Sequence, residues 1–145
     1  MNNETLTTQR ITDAIARSYH SQGDGVLREF SLKSRRRVDL ITMSNNGLIT
    51  IIEIKSTPRD FRSDKKWGEY IEWADQFYFG VGDNFPIKIL PKKHGIITTD
   101  GFDCHKARPS MENKLNGSRR NALVRNLAYA SMRRIQNECN DLINI

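Results

Sequence analysis

The sequence predicts a single α/β domain in which a mixed β-sheet is flanked by helices, with the element order α-β-β-β-α-β-β-α. Three observations predict this class. Apolar residues recur at helical spacing near the N-terminus, β-branched runs separated by turn sequences fill the middle, and a helix-start sequence follows the most apolar run. A length of 145 residues with 37% hydrophobic content suits one ordinary core. We therefore expect one domain spanning residues 1–145.

The first half of the chain predicts one helix and three strands. Apolar residues over residues 4–21 follow helical spacing, and the sequence QGDG supplies the stop. Strands are predicted over residues 26–31, 38–43 and 48–54. The sequence NNG between the last two strands fits a three-residue hairpin loop with Gly47 in the left-handed conformation. Residues that face each other across this hairpin then have numbers that add up to 92.

The second half predicts a helix, three strands and a closing helix. Thr57 is suited to be the N-cap, Pro58 the first helical residue and Asp60 the capping-box partner. This helix is expected to bend or restart near Gly68 and to continue to about Gln76. The remaining predicted elements are a strand at FYFGVG from Phe77, strands 95–99 and 102–105 around the Asp100–Gly101 turn, and a helix over residues 118–138.

The charge of the chain points to a polyanionic partner. The formal net charge is +6, and basic residues gather in the runs KSRRR, KK, KK, RR and RR. No apolar run is long enough to cross a bilayer and the N-terminus has no signal-peptide core, so we expect a cytoplasmic protein without a membrane partner. Cys104 and Cys139 form no CxxC pair, which favours free thiols over a disulfide framework or a zinc site.

The predicted hairpin carries charged residues where core residues are expected. Because paired residue numbers add up to 92, Asp39 faces Glu53 across the hairpin. Lys55 lies on the same face of the sheet as Glu53. Directly opposed carboxylates repel each other and destabilise a sheet unless something offsets the repulsion. A Mg²⁺ ion does so, since it takes one or two protein carboxylates and keeps several waters, and the backbone carbonyl of Ile54 could supply a further ligand.

Lys55 completes a constellation suited to phosphodiester hydrolysis. Two residues beyond Glu53, its ammonium can hold or activate a water at the metal, or steady the charge that develops on a phosphate. The alternative is structural: Asp39 pairs with Arg36 or Arg37 at a strand edge, while Glu53 and Lys55 form a surface ion pair. The apolar context of ITIIEIK favours the metal, because ionised groups in a buried strand are costly unless paired or metal-bound.

At these residues the chain resembles a known family. Asp39 with Glu53-Ile54-Lys55 resembles the D…(D/E)xK signature of the PD-(D/E)XK nuclease superfamily, which has a restriction-endonuclease-like fold. The segments RRRVDL, EIKST, DFRSDKKWGEY, GIITTDGF and SRRNAL, over residues 27–123, are similar to the MmcB-like DNA-repair proteins. The resemblance implies that Asp39 and Glu53 bind the metal and that Lys55 is the catalytic lysine. Val38 stands where the superfamily has proline.

Further residues are candidates for the same site. Glu29, Asp60 and Asp64 could extend the acidic cluster, with Asp60 also suited to helix capping. Trp67 and its helical neighbours favour core packing over base stacking. The candidates for DNA contacts are basic residues close to the acidic pair, namely Arg36, Arg37, Lys65 and Lys66.

The sequence and its resemblance together imply a Mg²⁺- or Mn²⁺-dependent deoxyribonuclease that hydrolyses DNA phosphodiesters in repair. The alternative is a catalytically weak nuclease-fold module that binds DNA as a partner in a repair complex. DNA is the expected partner in both cases, repair proteins could be further partners, and either a monomer or a homodimer is compatible with the sequence.

Overall fold

The computed structural model describes residues 5–144. Within them the predicted helices and strands follow one another as expected, with six strands, one more than the order α-β-β-β-α-β-β-α contains, and with two short 3₁₀ helices added. The chain forms two compact units, the first ending at Lys114 and the second beginning at Leu115. Each unit is described by itself, and the single domain stays a prediction.

The first unit holds most of the secondary structure. Its helices are α1 (Thr8–Ser21) and α2 (Pro58–Ser63), with 3₁₀ helices at Trp67–Trp73 and Ile87–Ile89. Its strands are β1 (Gly25–Ser31), β2 (Arg37–Met43), β3 (Ile49–Ile54), β4 (Gln76–Gly82), β5 (Gly95–Thr99) and β6 (Cys104–Arg108).

The six strands form one mixed sheet in the order β1-β2-β3-β4-β5-β6. The pairs β3–β4 and β4–β5 are parallel. The pairs β1–β2, β2–β3 and β5–β6 are antiparallel. The β2–β3 hairpin has the predicted register, from Met43 opposite Ile49 to Leu40 opposite Ile52. Gly47 has φ +89°, as the predicted loop requires. The pairing stops at Leu40 and Ile52, one pair short of the predicted Asp39–Glu53 pair.

Helix α1 covers one face of the sheet. Ile11 and Ile15 pack with Leu40, Ile52 and other side chains that point to this face. Gly80 of β4 is required here, because a Cβ atom at this position would lie 2.5 Å from Ile15 Cδ1. The close approach of helix to sheet therefore depends on the missing side chain.

An aromatic cluster covers the opposite face. Trp67 packs on Phe77 and Phe79 of β4, with ring centroids 6.2 and 5.1 Å away, and Phe61 of α2 and His94 join the same cluster. The expectation that Trp67 packs in the core is confirmed. The sheet thus lies between α1 and the α2–3₁₀ segment, in the three-layer α/β arrangement that the sequence predicts.

Several predicted boundaries differ from the structure. α1 begins at Thr8 because the side chain of Thr7 caps it by accepting a hydrogen bond from Arg10 N, and the predicted start at Glu4 lies outside the described residues. The helix after Lys55 does not continue to Gln76: α2 ends at Ser63, and a 3₁₀ helix follows. β6 begins at Cys104 rather than at residue 102, because Asp100 holds the preceding turn through the backbone N–H groups of residues 102 and 103.

The second unit consists mainly of α3 (Gly117–Ile143), which is longer than predicted at both ends. The side chain of Asn116 caps its start by accepting a hydrogen bond from Arg119 N. Leu123 and Leu127 are its buried residues. Across residues 5–144, no helix is long and apolar enough to cross a membrane.

Candidate active site

The site lies where β2 and β3 separate at the end of their hairpin. Beyond the Leu40–Ile52 pair the backbones no longer bond, and the side chain of Asp39 takes over: its Oδ2 accepts a hydrogen bond from Ile54 N at 2.8 Å. The N–H and C=O of one strand residue face the same neighbour, so the Ile54 carbonyl also faces the Asp39 side. The Asp39 carboxylate therefore takes the place of the next backbone hydrogen bond at this end of the hairpin.

Glu53 is a buried acid with an unsatisfied oxygen. The residue is 6% exposed, lies opposite Phe79 in the β3–β4 register, and its Oε2 has no hydrogen-bond partner. Burial, and then the charge of Asp39 and a proton shared with it, raise the pKa of Glu53 from 4.5 to about 9. In the metal-free protein Glu53 therefore keeps its proton near neutral pH.

Lys55 is held between two acids. Its Nζ lies 2.6 Å from Asp64 Oδ2 and 3.8 Å from Glu53 Oε1, and the residue is 6% exposed. Burial opposes the charge of Asp64, but the hydrogen bonds from Lys55 and from the backbone N–H of Lys66 outweigh it and lower the Asp64 pKa. The predicted alternative of a surface ion pair between Glu53 and Lys55 is wrong, because both residues are buried.

Tyr70 belongs to this site, although the sequence pattern indicated only a core position. Its hydroxyl donates a hydrogen bond to the Arg37 carbonyl at 3.3 Å. Burial, followed by the charges of Glu53, Asp64 and Asp39, raises the Tyr70 pKa to about 12. The helical spacing of apolar residues predicted that Tyr70 is buried, but it did not indicate which residues surround the Tyr70 side chain.

The other acidic candidates are placed differently. In the β1–β2 register, Glu29 falls opposite Asp39 within an interruption of the pairing, with φ +51° and an exposed side chain. Asp60 is exposed and accepts a hydrogen bond from the Ser56 hydroxyl, while its backbone N–H donates to the Thr57 cap. Asp64 is the acidic candidate that contacts Lys55.

The donors present suit a metal that needs few protein ligands. Among residues 5–144, no three His, Cys, Asp or Glu side chains form a group that could hold a metal. Asp39 and Glu53 remain as a pair, with the unsatisfied Glu53 Oε2 and the Ile54 carbonyl beside them. Mg²⁺ binds through one or two carboxylates and retains water, whereas a zinc site needs three or four protein ligands. The residues therefore fit Mg²⁺ or Mn²⁺.

The basic candidates are close in sequence to the acidic residues, and three of the four are exposed. Arg36 forms an ion pair with Glu69, with Nε 2.7 Å from Oε2, so the structural alternative in which Arg36 pairs with Asp39 is not what the structure has. Arg37 is exposed at the start of β2. Lys65 and Lys66 are exposed directly after Asp64, in the segment between α2 and the 3₁₀ helix.

One of the comparisons with known proteins identifies a family. A solved structure of a protein of unknown function from Silicibacter pomeroyi is similar to this chain, with a TM-score of 0.83 and 32% sequence identity. The similarity covers 94% of this chain and 92% of that one. No curated protein matches the sequence significantly. A family model described as "DNA repair protein MmcB-like" matches residues 2–141, and the chain therefore belongs to the MmcB-like DNA repair family.

Proposed function

We propose that the protein hydrolyses DNA phosphodiester bonds with Mg²⁺ or Mn²⁺ during DNA repair. The observation that carries the proposal is the buried Glu53 Oε2, which has no hydrogen-bond partner and lies beside a second carboxyl group and a lysine. A buried carboxyl oxygen without a hydrogen-bond partner destabilises the fold. Such a cost is understandable where the oxygen serves a bound cation.

Asp39, Glu53 and the Ile54 carbonyl would hold the cation. When bound, the ion supplies positive charge that offsets both the carboxylate pair and the charge of the phosphate. The carboxyl proton of Glu53 must leave for the ion to bind, because its raised pKa keeps this group neutral near pH 7. Ile54 N holds Asp39 in place, so one ligand is fixed before binding.

Lys55 would act on the reacting phosphate. Hydrolysis adds water to phosphorus, breaks one P–O bond and leaves a phosphate and a hydroxyl, while negative charge grows on the phosphoryl oxygens. An ammonium fixed by Asp64 at 2.6 Å is positioned before the reaction to stabilise that charge. Asp64 is thus a positioning residue.

The exposed basic side chains would hold the DNA backbone. Lys65 and Lys66 directly follow Asp64, and Arg37 lies two residues before Asp39. Contacts of lysine and arginine with phosphates supply affinity without base specificity. A chain of net charge +6 suits this mode of binding.

One observation favours the second candidate, a module that binds DNA but cleaves it poorly. Lys55 is bonded to Asp64, and the described residues offer two carboxylates rather than three for a metal. Such a module would bind branched or nicked DNA within a repair complex. It would show DNA affinity that does not depend on Glu53.

The test combines cleavage with metal binding. The purified chain is incubated with linear, nicked, flapped and branched DNA in Mg²⁺, Mn²⁺ or EDTA, and Mg²⁺ binding is measured by calorimetric titration. We expect cleavage with either metal and none in EDTA, and loss of both cleavage and Mg²⁺ binding in Glu53→Gln. Asp60→Asn is the matched control, since it removes an exposed carboxylate outside the pair. Unchanged Mg²⁺ affinity in Glu53→Gln would refute the metal assignment.

A further inference from the structure

A second concave region of the first unit lies outside the acidic site. This cleft of about 400 Å³ is at the carboxyl ends of β3, β4 and β5, and its lining includes Ser56, Asn84, Asp100 and Arg10. Its volume falls in the range of small-molecule sites. The segments that follow β3, β4 and β5 meet here, because these strands are parallel and their carboxyl ends lie at one edge of the sheet. Ser56 directly follows Lys55, so the cleft begins one residue beyond the catalytic lysine of the proposed function.

An exposed aromatic ring stands at this cleft. Phe102 is 72% exposed, and the Arg10 guanidinium lies 5.6 Å from the centre of its ring. The backbone N–H groups of Phe102 and Asp103 both donate to Asp100 Oδ1 at 2.8 Å, which holds the turn that presents the ring. An exposed aromatic ring with an arginine beside it is a combination on which nucleic-acid-binding proteins stack unpaired bases.

We propose that this cleft holds one unpaired base of a DNA strand, stacked on Phe102. The inference rests on the proposed function in taking DNA as the ligand, and it narrows the substrate to DNA with unpaired nucleotides close to the cleaved bond.

The polar lining fits the edge of a base. The carboxylates of Asp83 and Asp100 can accept hydrogen bonds from base amino groups, and the Asn84 amide can both donate and accept. Two carboxylates make the interior unfavourable for a phosphate. The base therefore enters the cleft, and Arg10, which lines it beside Phe102, offers a positive charge to the adjoining phosphate.

The experiment uses the full chain in EDTA, so that binding is measured without cleavage. The probes are duplexes that carry 2-aminopurine either in a single-stranded tail or fully paired, and the readouts are affinity and fluorescence quenching. We expect quenching with the tailed probe alone. Phe102→Ala should lower affinity for tailed DNA roughly five- to hundredfold, which corresponds to the loss of one stacked base. Affinity for paired duplex should not change.

Two variants serve as controls. Phe102→Trp should keep both the affinity and the quenching, because indole also stacks on bases. Tyr129→Ala removes an aromatic side chain of similar exposure, 68%, in the second unit and should change neither readout.

Each contrary outcome overturns a definite statement. Equal losses for tailed and paired DNA in Phe102→Ala, or no loss for either, would refute the base-binding cleft. If free deoxynucleoside monophosphates bind as tightly as tailed DNA, the ligand is a nucleotide and not a strand, and the proposal is wrong. If the chain quenches the tailed probe but cleaves no DNA, the proposed hydrolysis is wrong and the base-binding cleft stands. If the chain cleaves DNA equally well with and without the Phe102 ring, the base-binding cleft is wrong and the proposed hydrolysis stands.

Discussion

At the scale of single residues, Glu53 determines how the site responds to pH. Its ordinary pKa of 4.5 is raised to about 9 in the folded protein, first by burial and then by Asp39. Between these two values the folded chain holds a proton that the unfolded chain releases. Stability of the metal-free protein must therefore fall as pH rises through this window.

Glu53→Gln should remove this dependence. In EDTA, the parent should lose up to about 1.4 kcal/mol of unfolding free energy per pH unit between pH 5 and 9 relative to the variant, because the variant has no proton to release. Urea denaturation of both proteins at several pH values measures the difference. Parallel pH profiles would show that Glu53 ionises normally.

Lys55 tests the chemistry separately from binding. Lys55→Ala should lower cleavage by roughly a hundredfold or more, the usual effect of removing a group that stabilises transition-state charge. Mg²⁺ and DNA affinities should stay close to those of the parent, since the carboxylate pair and the surface lysines remain. Single-turnover cleavage is the measurement, and Lys88→Ala, which removes an exposed lysine outside the proposed site, is the control. If Lys55→Ala cleaves DNA as fast as the parent protein, the role of this lysine is structural and not catalytic.

At the scale of elements, the fold depends on how closely α1 approaches the sheet. Gly80 allows this contact, since a Cβ there would lie 2.5 Å from Ile15 and 2.9 Å from Ile54 side-chain atoms. The backbone carbonyl of Gly80 also accepts a hydrogen bond from Lys55 N at 2.9 Å. A shift of β4 would therefore move the strand end that carries the lysine.

Gly80→Ala should destabilise the protein by about 1–3 kcal/mol, as overpacking of a filled core does. Gly68→Ala is the matched control, because a Cβ at Gly68 meets nothing within 4 Å. Thermal unfolding of both variants decides. Equal melting temperatures for Gly80→Ala and the parent would mean that α1 can move away without cost.

At the scale of the whole molecule, net charge and its distribution determine how DNA is bound. The chain carries +6 overall, and exposed lysines follow the acidic site at positions 65 and 66. Each phosphate that a protein neutralises changes the logarithm of duplex affinity by about 0.9 per logarithm of salt. Binding should therefore weaken steeply with salt.

Replacing Lys65 and Lys66 together with Ala should lower this slope by about one to two units, whatever the DNA sequence, because these contacts read no bases. Affinity is measured in Ca²⁺, which bridges carboxylate and phosphate but tolerates looser geometry than Mg²⁺. The Lys92 and Lys93 double Ala variant loses the same charge and should change the slope less. If both double variants lower the salt dependence of DNA affinity equally, the position of the lysines relative to the acidic site does not matter.

The sequence alone was sufficient for the features that depend on neighbours along the chain. Gly47 indicated the three-residue loop, and the loop length determined the register, in which paired residue numbers add up to 92. That register placed Asp39 and Glu53 at corresponding positions of adjacent strands. The start of α2 at Thr57 and Pro58 could also be predicted from the sequence, because capping involves residues three apart. Turn geometry and helix caps are local, so a linear pattern specifies them.

Only the tertiary structure decided what surrounds those residues. The Asp64 carboxylate on Lys55, the Tyr70 hydroxyl on the Arg37 carbonyl and the burial of Glu53 all depend on how the segment after β3 folds back over the sheet. The helix predicted to reach Gln76 breaks at Ser63, and that break places Asp64 on Lys55. Desolvation and charge coupling arise from such long-range packing, and spacing along the chain does not encode them.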